Sequence, residues 1–175
     1  MICVIDACFV IDWSLYGRRD ILKDIFSSFY ITADVFDELK SERAYNMIIE
    51  WRRENICVIV GLTERELNDV RALMRRVDEN PEMPAIDFPE ATAIIYAKKY
   101  GIQHVLTENK GAKAVPTSLN DFSEIKIWSA LDVLKEAGSK GILRDFEKAL
   151  EEYSTETKHI FKEAKKEKKI NAQIH

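Results

Sequence analysis

The sequence predicts an α/β fold, a three-layer α/β/α sandwich around a mainly parallel sheet of about five strands. Three observations predict it. Short β-branched runs alternate with amphipathic helical stretches along the whole chain. The first run, Ile2 to Ile5, stops at Asp6 and passes straight into helical periodicity. The length of 175 residues, 46% of them hydrophobic, suffices for one sizeable core.

The stretch MICVIDACFVIDW opens the chain. Asp6 falls at the C-terminal end of a buried strand, where α/β proteins bind ligands. No glycine-rich turn follows, so this junction offers a carboxylate and no phosphate cradle. Asp is also a good helix N-cap, and a cap alone would explain it. Arg18 to Ser28 carries Ile21, Leu22, Ile25 and Phe26 at helical spacing. FYIT, ending at Thr32, is the second strand. Thr32 then caps a helix expected over Ala33 to Arg53, with Glu38 one turn in, on the flank of its apolar stripe.

Cys57 to Val60 is the third strand. Thr63 to Glu66 reads T-E-R-E, a capping box that starts a charged helix reaching about Val77. Its arginines, Arg65, Arg71, Arg75 and Arg76, form a solvated face or an RNA-facing one. Asn80 to Pro84 is a loop. Asp87-Phe88-Pro89-Glu90 opens a helix that Gly101 stops near Tyr100. Glu90 shares a stripe with Ile94 and Ala97 and should point inward, although the same residues form a capping box. His104 to Thr107 is the fourth strand, followed at once by Glu108, Asn109 and Lys110. A short helix then runs to about Val115, with Pro116 expected to end it. Ile125 to Trp128 is the last strand, and helices over about Ser129 to Ala137 and Lys140 to Tyr153 complete a domain of residues 1–153. Residues 154–175 form a charged C-terminal helix or tail, with Ile160 and Phe161 as weak apolar anchors.

Net charge is −4, unevenly spread. Lys158 to Lys169 holds six Lys and two Glu, a charge of +4, which leaves −8 on the first 157 residues. An acidic body argues against generic DNA coating but allows local grip on a phosphate chain. Three cysteines without C-x-x-C spacing read as reduced thiols of a cytoplasmic protein. His104, His159 and His175 show no zinc spacing. No apolar run approaches the ~20 residues of a membrane span, and the first residues lack the basic start of a signal peptide.

Asp6, Glu38, Glu90 and Glu108 are all expected at the edge where strands end and helices begin. Clustered carboxylates repel and raise one another's pKa, so such a set points to a neutralising cation. Oxygen donors without His or Cys spacing favour Mg²⁺ or Mn²⁺, and phosphodiester hydrolysis is the chemistry these ions support. Lys110 and Lys113 are placed to meet substrate phosphates at a helix N-terminus, though surface lysines need no such role.

The motifs V-I-D-A with Asp6, V-F-D-E-L with Glu38, D-F-P-E-A with Glu90 and V-L-T-E-N-K with Thr107 and Glu108 resemble the PIN domain, in the family's order and over about the first 150 residues. The likeness is to small prokaryotic and archaeal members, including toxins of toxin–antitoxin pairs. It implies a Mg²⁺- or Mn²⁺-dependent endoribonuclease acting on RNA, single-stranded by expectation. It also implies Asp6, Glu38 and Glu90 as metal ligands, Thr107 as the hydroxyl before the last acid, a homodimer and an antitoxin-type partner. Two departures from the pattern stand out. Ala7 and Cys8 stand where the family has a small polar residue. Asn109 stands at the last acid, leaving either Glu108 or the Asn109 amide to complete the metal shell. A catalytically weakened fold serving as an RNA- or protein-binding module is the alternative. A phosphatase or receiver domain would need acids this sequence lacks, and a dinucleotide-binding domain would need G-x-G-x-x-G.

Overall fold

The computed structural model describes residues 1–159 and 161. Five strands form its sheet: β1 (Ile2–Ile5), β2 (Ser28–Thr32), β3 (Cys57–Val60), β4 (His104–Leu106) and β5 (Lys126–Trp128). Their order is β3-β2-β1-β4-β5, and every pairing is parallel. The central strand β1 pairs Val4 with Tyr30 on one side and with Val105 on the other. The chain runs outward from β1 through β2 and β3, then crosses back to β4 and β5. The order therefore reverses between β1 and β4, the switch point where open α/β sheets form their crevice.

Side-chain alternation splits the core into two layers. Cys3, Ile5, Phe29, Ile31 and Cys57 point into one. There they meet α1 (Ala7–Leu15), α2 (Ile21–Ile25), α3 (Ala33–Asp37), α4 (Glu42–Arg53), α8 (Ala130–Ser139) and α9 (Phe146–Thr157). Val4 and Val105 point to the other face, against Ala93, Tyr96 and Ala97 of α6 (Phe88–Tyr100). Outside α6, α5 (Glu64–Asp78) and α7 (Lys110–Ser118) bury Val70, Leu73, Ala112 and Val115. The α6 stretch from Glu90 to Ala97 is buried throughout, because sheet and outer helices cover it on both sides.

Four expectations are corrected. The helix read over Ala33 to Arg53 is two helices. α3 ends at Asp37, and Ser41 starts α4 by accepting from Ala44 N–H at 3.5 Å. A Ser-Glu pair that looks like helix interior in sequence is here a second N-cap. The helix from Arg18 shrinks to Ile21–Ile25, and Ser27 is drawn to the sheet margin, its N–H bonded to Met1 O at 2.7 Å. Pro116 lies inside α7 and does not end it. α9 begins at Phe146, capped by Asp145, and runs to Thr157. Of the tail, Phe161 is buried as an anchor, whereas Ile160 and residues 162–175 lie outside the described residues.

Candidate active site

Asp6 is the N-cap position of α1 by backbone, yet its side chain makes no cap bond. Its carboxylate instead faces the switch point. It accepts from the Thr107 hydroxyl at 2.9 Å and from the Cys8 thiol at 2.7 Å, both on Oδ2. The strand ends are locked beneath it, since Asp6 N–H donates to Leu106 O and Thr107 N–H to Trp128 O, each at 3.0 Å. Asp6 is 3% exposed. Burial pushes its pKa up, against the Cys8, Thr107 and Ala7 donors that favour the anion.

Glu90 arrives from the opposite direction. The loop after α5 crosses back over the sheet edge, so α6 presents its first turn to the C-terminal end of β1. The Asp87–Glu90 capping box is present: Glu90 N–H donates to Asp87 Oδ1 at 2.9 Å and Asp87 N–H to Glu90 Oε2 at 3.0 Å. Cap and site are therefore not alternatives here, because the box holds Glu90 where it meets Asp6. Ligand atoms of Asp6, Cys8 and Glu90 lie within 4.8 Å of one another. Burial raises the Glu90 pKa to about 7, helped by the charges of Asp6 and Asp87 and opposed by the Asp87 N–H and the Asn109 amide.

Glu38 caps the C-terminal end of α3 and is exposed. Desolvation, then the nearby charges of Asp87 and Asp6, raise its pKa, so it shares their field. The α3–α6 junction sets that position. The hydroxyls of Thr32 and Thr92 lie 2.8 Å apart, Thr92 donates to Pro89 O at 2.6 Å, and Thr32 accepts from Val35 N–H at 3.4 Å.

Glu108 turns elsewhere. Its Oε1 accepts from Ala130 N–H at 2.6 Å, at the start of α8, and its Oε2 lies 3.6 Å from His159 Nε2. Asn109 stays close. Its Oδ1 caps α7 by accepting from Gly111 and Ala112 N–H at 2.6 and 3.1 Å, and its amide serves Glu90. Lys110 is exposed at the α7 N-terminus, while Lys113 reaches Asp132 at 3.9 Å. In the sequence Asp87 reads as a helix cap, not as a site residue, yet its charge acts on Asp6, Glu38 and Glu90. Nor does the sequence mark Cys8 as the donor in the hydroxyl position, or Thr92. The D-x-x-E spacing was the signal for Asp87, but it read as a cap alone.

Arg76, on the arginine face of α5, is engaged away from this site. Arg76 binds both Asp121 oxygens, at 3.0 and 2.7 Å, and Lys98 joins Asp121 at 2.7 Å. These line a cleft of about 520 Å³ with Arg65, Leu73 and Phe122, at the end of α6 remote from Glu90.

Fold and site together define a parallel α/β sandwich with a carboxylate pit at its switch point. The chain belongs to the PIN domain family, whose pattern matches residues 2–171. No curated protein sequence matches it. Among solved structures it is similar to Mycobacterium tuberculosis VapC20, a Sarcin-Ricin loop cleaving toxin, with a TM-score of 0.49 and 18% identity over 66% of this chain and 95% of that one. Among the described residues no helix is long and apolar enough to cross a membrane.

Proposed function

We propose that this PIN domain is a Mg²⁺- or Mn²⁺-dependent endoribonuclease that hydrolyses phosphodiester bonds of single-stranded RNA. One observation carries the reading: buried Asp6 and Glu90, from elements distant in sequence, converge with Cys8 within 4.8 Å. Both acids are pushed toward their neutral forms there. A hard divalent cation fits such a donor set, because it offsets the desolvation and repulsion that otherwise accumulate.

Asp6 and Glu90 would hold the ion, with Glu38 joining from the α3 terminus. A bound ion of this kind stabilises charge on the phosphoryl oxygens and makes water a better nucleophile. Thr107 and Cys8 fix the rotamer of Asp6 by donating to one oxygen and leaving the other available. Asp87 N–H and the Asn109 amide fix Glu90. Lys110, exposed at the start of α7, receives substrate phosphate, with Lys113 behind it. Glu108 acts through α8 and His159 in its present orientation, and Asn109 acts by holding Glu90. The same reading puts the protein in the cytoplasm as a homodimer, with an antitoxin-type partner in keeping with toxin-like members of the family.

The Asn109 amide at the last acidic position favours a second reading, a weakened fold that binds RNA or protein without cutting. A cleavage assay on single-stranded RNA with added Mn²⁺ separates the two. The wild-type chain should nick the RNA and Asp6→Asn should lose at least about 100-fold in rate, the scale on which removing a charge-stabilising group acts. Equal nicking by both proteins removes the metal mechanism, and binding without nicking selects the second reading.

A further inference from the structure

The cleft of about 520 Å³ at the far end of α6 is lined by no residue of the Asp6–Glu90 pit. Four cations line it, Arg65, Arg76, Lys98 and Lys99, against two acids, Asp69 and Asp121. That is a charge of +2 in one place, on a chain whose first 157 residues sum to −8. Helical spacing builds the wall. Arg65, Asp69 and Arg76 recur on one stripe of α5, and Lys98 and Lys99 stand in the last turn of α6.

The cations are held in place from behind. Asp121 accepts from Arg76 on both oxygens, at 2.7 and 3.0 Å, and from Lys98 at 2.7 Å. The Lys98 ammonium also lies 3.9 Å from the Phe122 ring centroid, and the Arg76 guanidinium 5.7 Å. Two cations keep the Asp121 carboxyl well below the usual carboxylate range, so it stays ionised and fixes them both. Lys99 lies 3.3 Å from the carboxylate of Glu66, which is 1% exposed. Even with Glu66 counted, the cleft stays positive. These bonds use only part of the five donors of an arginine and the three of a lysine. The side chains of Arg76, Lys98 and Lys99 remain 38–43% exposed, so their free donors face solvent already oriented for a second anion.

Two features select the anion. The large apolar side chains of the cleft, Leu73, Ile95 and Phe122, are already buried, and its exposed groups are the charged ones and Ala72. An apolar peptide side chain would find little to pack on, whereas spaced cations suit a chain of phosphates. The second feature is distance. Lys98 follows Glu90 by eight residues on one helix, about 12 Å along its axis. A strand advancing about 3.4 Å or more per nucleotide covers that in about four nucleotides or fewer.

We propose that the cleft between α5 and α6 is an exosite for the phosphates of single-stranded RNA, gripping the strand a few nucleotides from the bond cut in the pit. The inference rests on the reading of RNA as the substrate. Its test reads binding: a wild-type chain that binds RNA through the cleft but nicks nothing with Mn²⁺ sinks the nuclease and leaves the exosite standing. A fluorescent single-stranded RNA of about 12 nucleotides, within the range of single-strand binding sites, is titrated at several salt concentrations with chelator present. The wild-type chain is compared with an Arg65→Gln, Lys98→Gln variant, in which Asp121 keeps both bonds to Arg76. An Arg71→Gln, Arg75→Gln variant removes the same charge from α5 outside the cleft. Each lost phosphate contact takes about 0.7 from the slope of log affinity against log salt, so the cleft variant should lose about 1.4. The control variant should lose less than half as much. A loss below about 0.7 in the cleft variant, a control loss half as large or more, or no measurable binding by the wild-type chain overturns the proposal. So does a polyglutamate peptide of equal charge that binds the cleft more tightly than the RNA, which would make it a docking place for an acidic protein.

Discussion

The Thr107 hydroxyl donates to Asp6 at 2.9 Å while accepting from Asn109 N–H at 3.1 Å. One side chain at the end of β4 thereby ties the carboxylate after β1 to the turn that opens α7. Both of its roles are directional, and Thr107 is 1% exposed, so water cannot replace them. Thr107→Val keeps the shape and removes the hydroxyl. It leaves Asn109 N–H without its acceptor and frees Asp6 to rotate. Groups that orient a metal ligand typically matter 10- to 100-fold in affinity, and we expect a loss of about that size for Mn²⁺. Calorimetric titration of wild type and variant with Mn²⁺ measures it, and equal affinities would show that Asp6 needs no such support.

Glu90 sets a trade between stability and binding. Its folded pKa, about 7, lies above the ordinary glutamate value, so the folded state binds the proton more tightly than the unfolded one. Stability from this group is therefore full at low pH and falls as pH rises through about 7. At neutral pH without metal the ionised side chain is a cost. Glu90→Gln keeps an acceptor for Asp87 N–H and removes that cost. We expect the metal-free variant to be more stable at pH 8 by about 1–3 kcal/mol, discounted for partial solvation. Thermal unfolding with and without Mn²⁺ checks it: the variant should melt higher alone and gain no stability from the ion. The same sign makes Mn²⁺ affinity of the wild type rise with pH up to about 7, because the proton and the cation compete for one carboxylate.

The strands were legible because each is a short apolar, β-branched run with a turn or a cap after it, and the order of acids located the edge they share. Helix lengths were less legible where a break has no Pro or Gly. Nothing between Glu38 and Ser41 breaks helical periodicity, yet α3 closes at Asp37 with Glu38 and Leu39 N–H bonded three residues back, and Ser41 caps a new helix. Asp6 and Glu90 were readable as a pair, since a strand end and an inward helix stripe both follow from pattern. The direction of Glu108 was not, because it depends on Ala130 N–H and His159, residues 22 and 51 positions away. Asp87 was visible but had a sufficient local explanation as a cap, and local explanations hide a group that serves two purposes.

Gly111 marks the closest backbone approach near the site. A Cβ there would collide with Ala85 O and stand 2.7 Å from Pro84 O, both backbone atoms of the loop leading to Asp87. Neither can move without moving the capping box that holds Glu90. Gly111→Ala should destabilise the protein by about 1–3 kcal/mol, the usual range for overpacking, despite alanine's better helix propensity. Urea denaturation measures this. Gly61→Ala is the control, because its Cβ meets nothing within 4 Å.

The position after Thr107 is the one the sequence left open, and the structure makes its two residues separable. Glu108 Oε1 satisfies Ala130 N–H at the start of α8. Glu108→Ala strands that donor and should cost about 1–2 kcal/mol, the scale of a lost N-terminal cap. Glu108→Gln keeps an acceptor, so its stability should stay near wild type. If Glu108 remains turned to α8, its Mn²⁺ affinity should also stay within about threefold of wild type, because a charge outside the shell acts weakly through solvent. Asn109→Ala differs on both counts. It strips Gly111 and Ala112 N–H of their acceptor and takes the amide from Glu90. Stability should fall by about 1–2 kcal/mol, and the Glu90 pKa should rise, since a group favouring its anion is gone. Mn²⁺ affinity at pH 7 should then drop roughly tenfold or more, as for other lost supports of a metal ligand. Carboxyl titration by NMR and Mn²⁺ calorimetry on the three variants resolve the choice. A large affinity loss in Glu108→Gln with none in Asn109→Ala would mean that Glu108 swings into the shell when the ion binds.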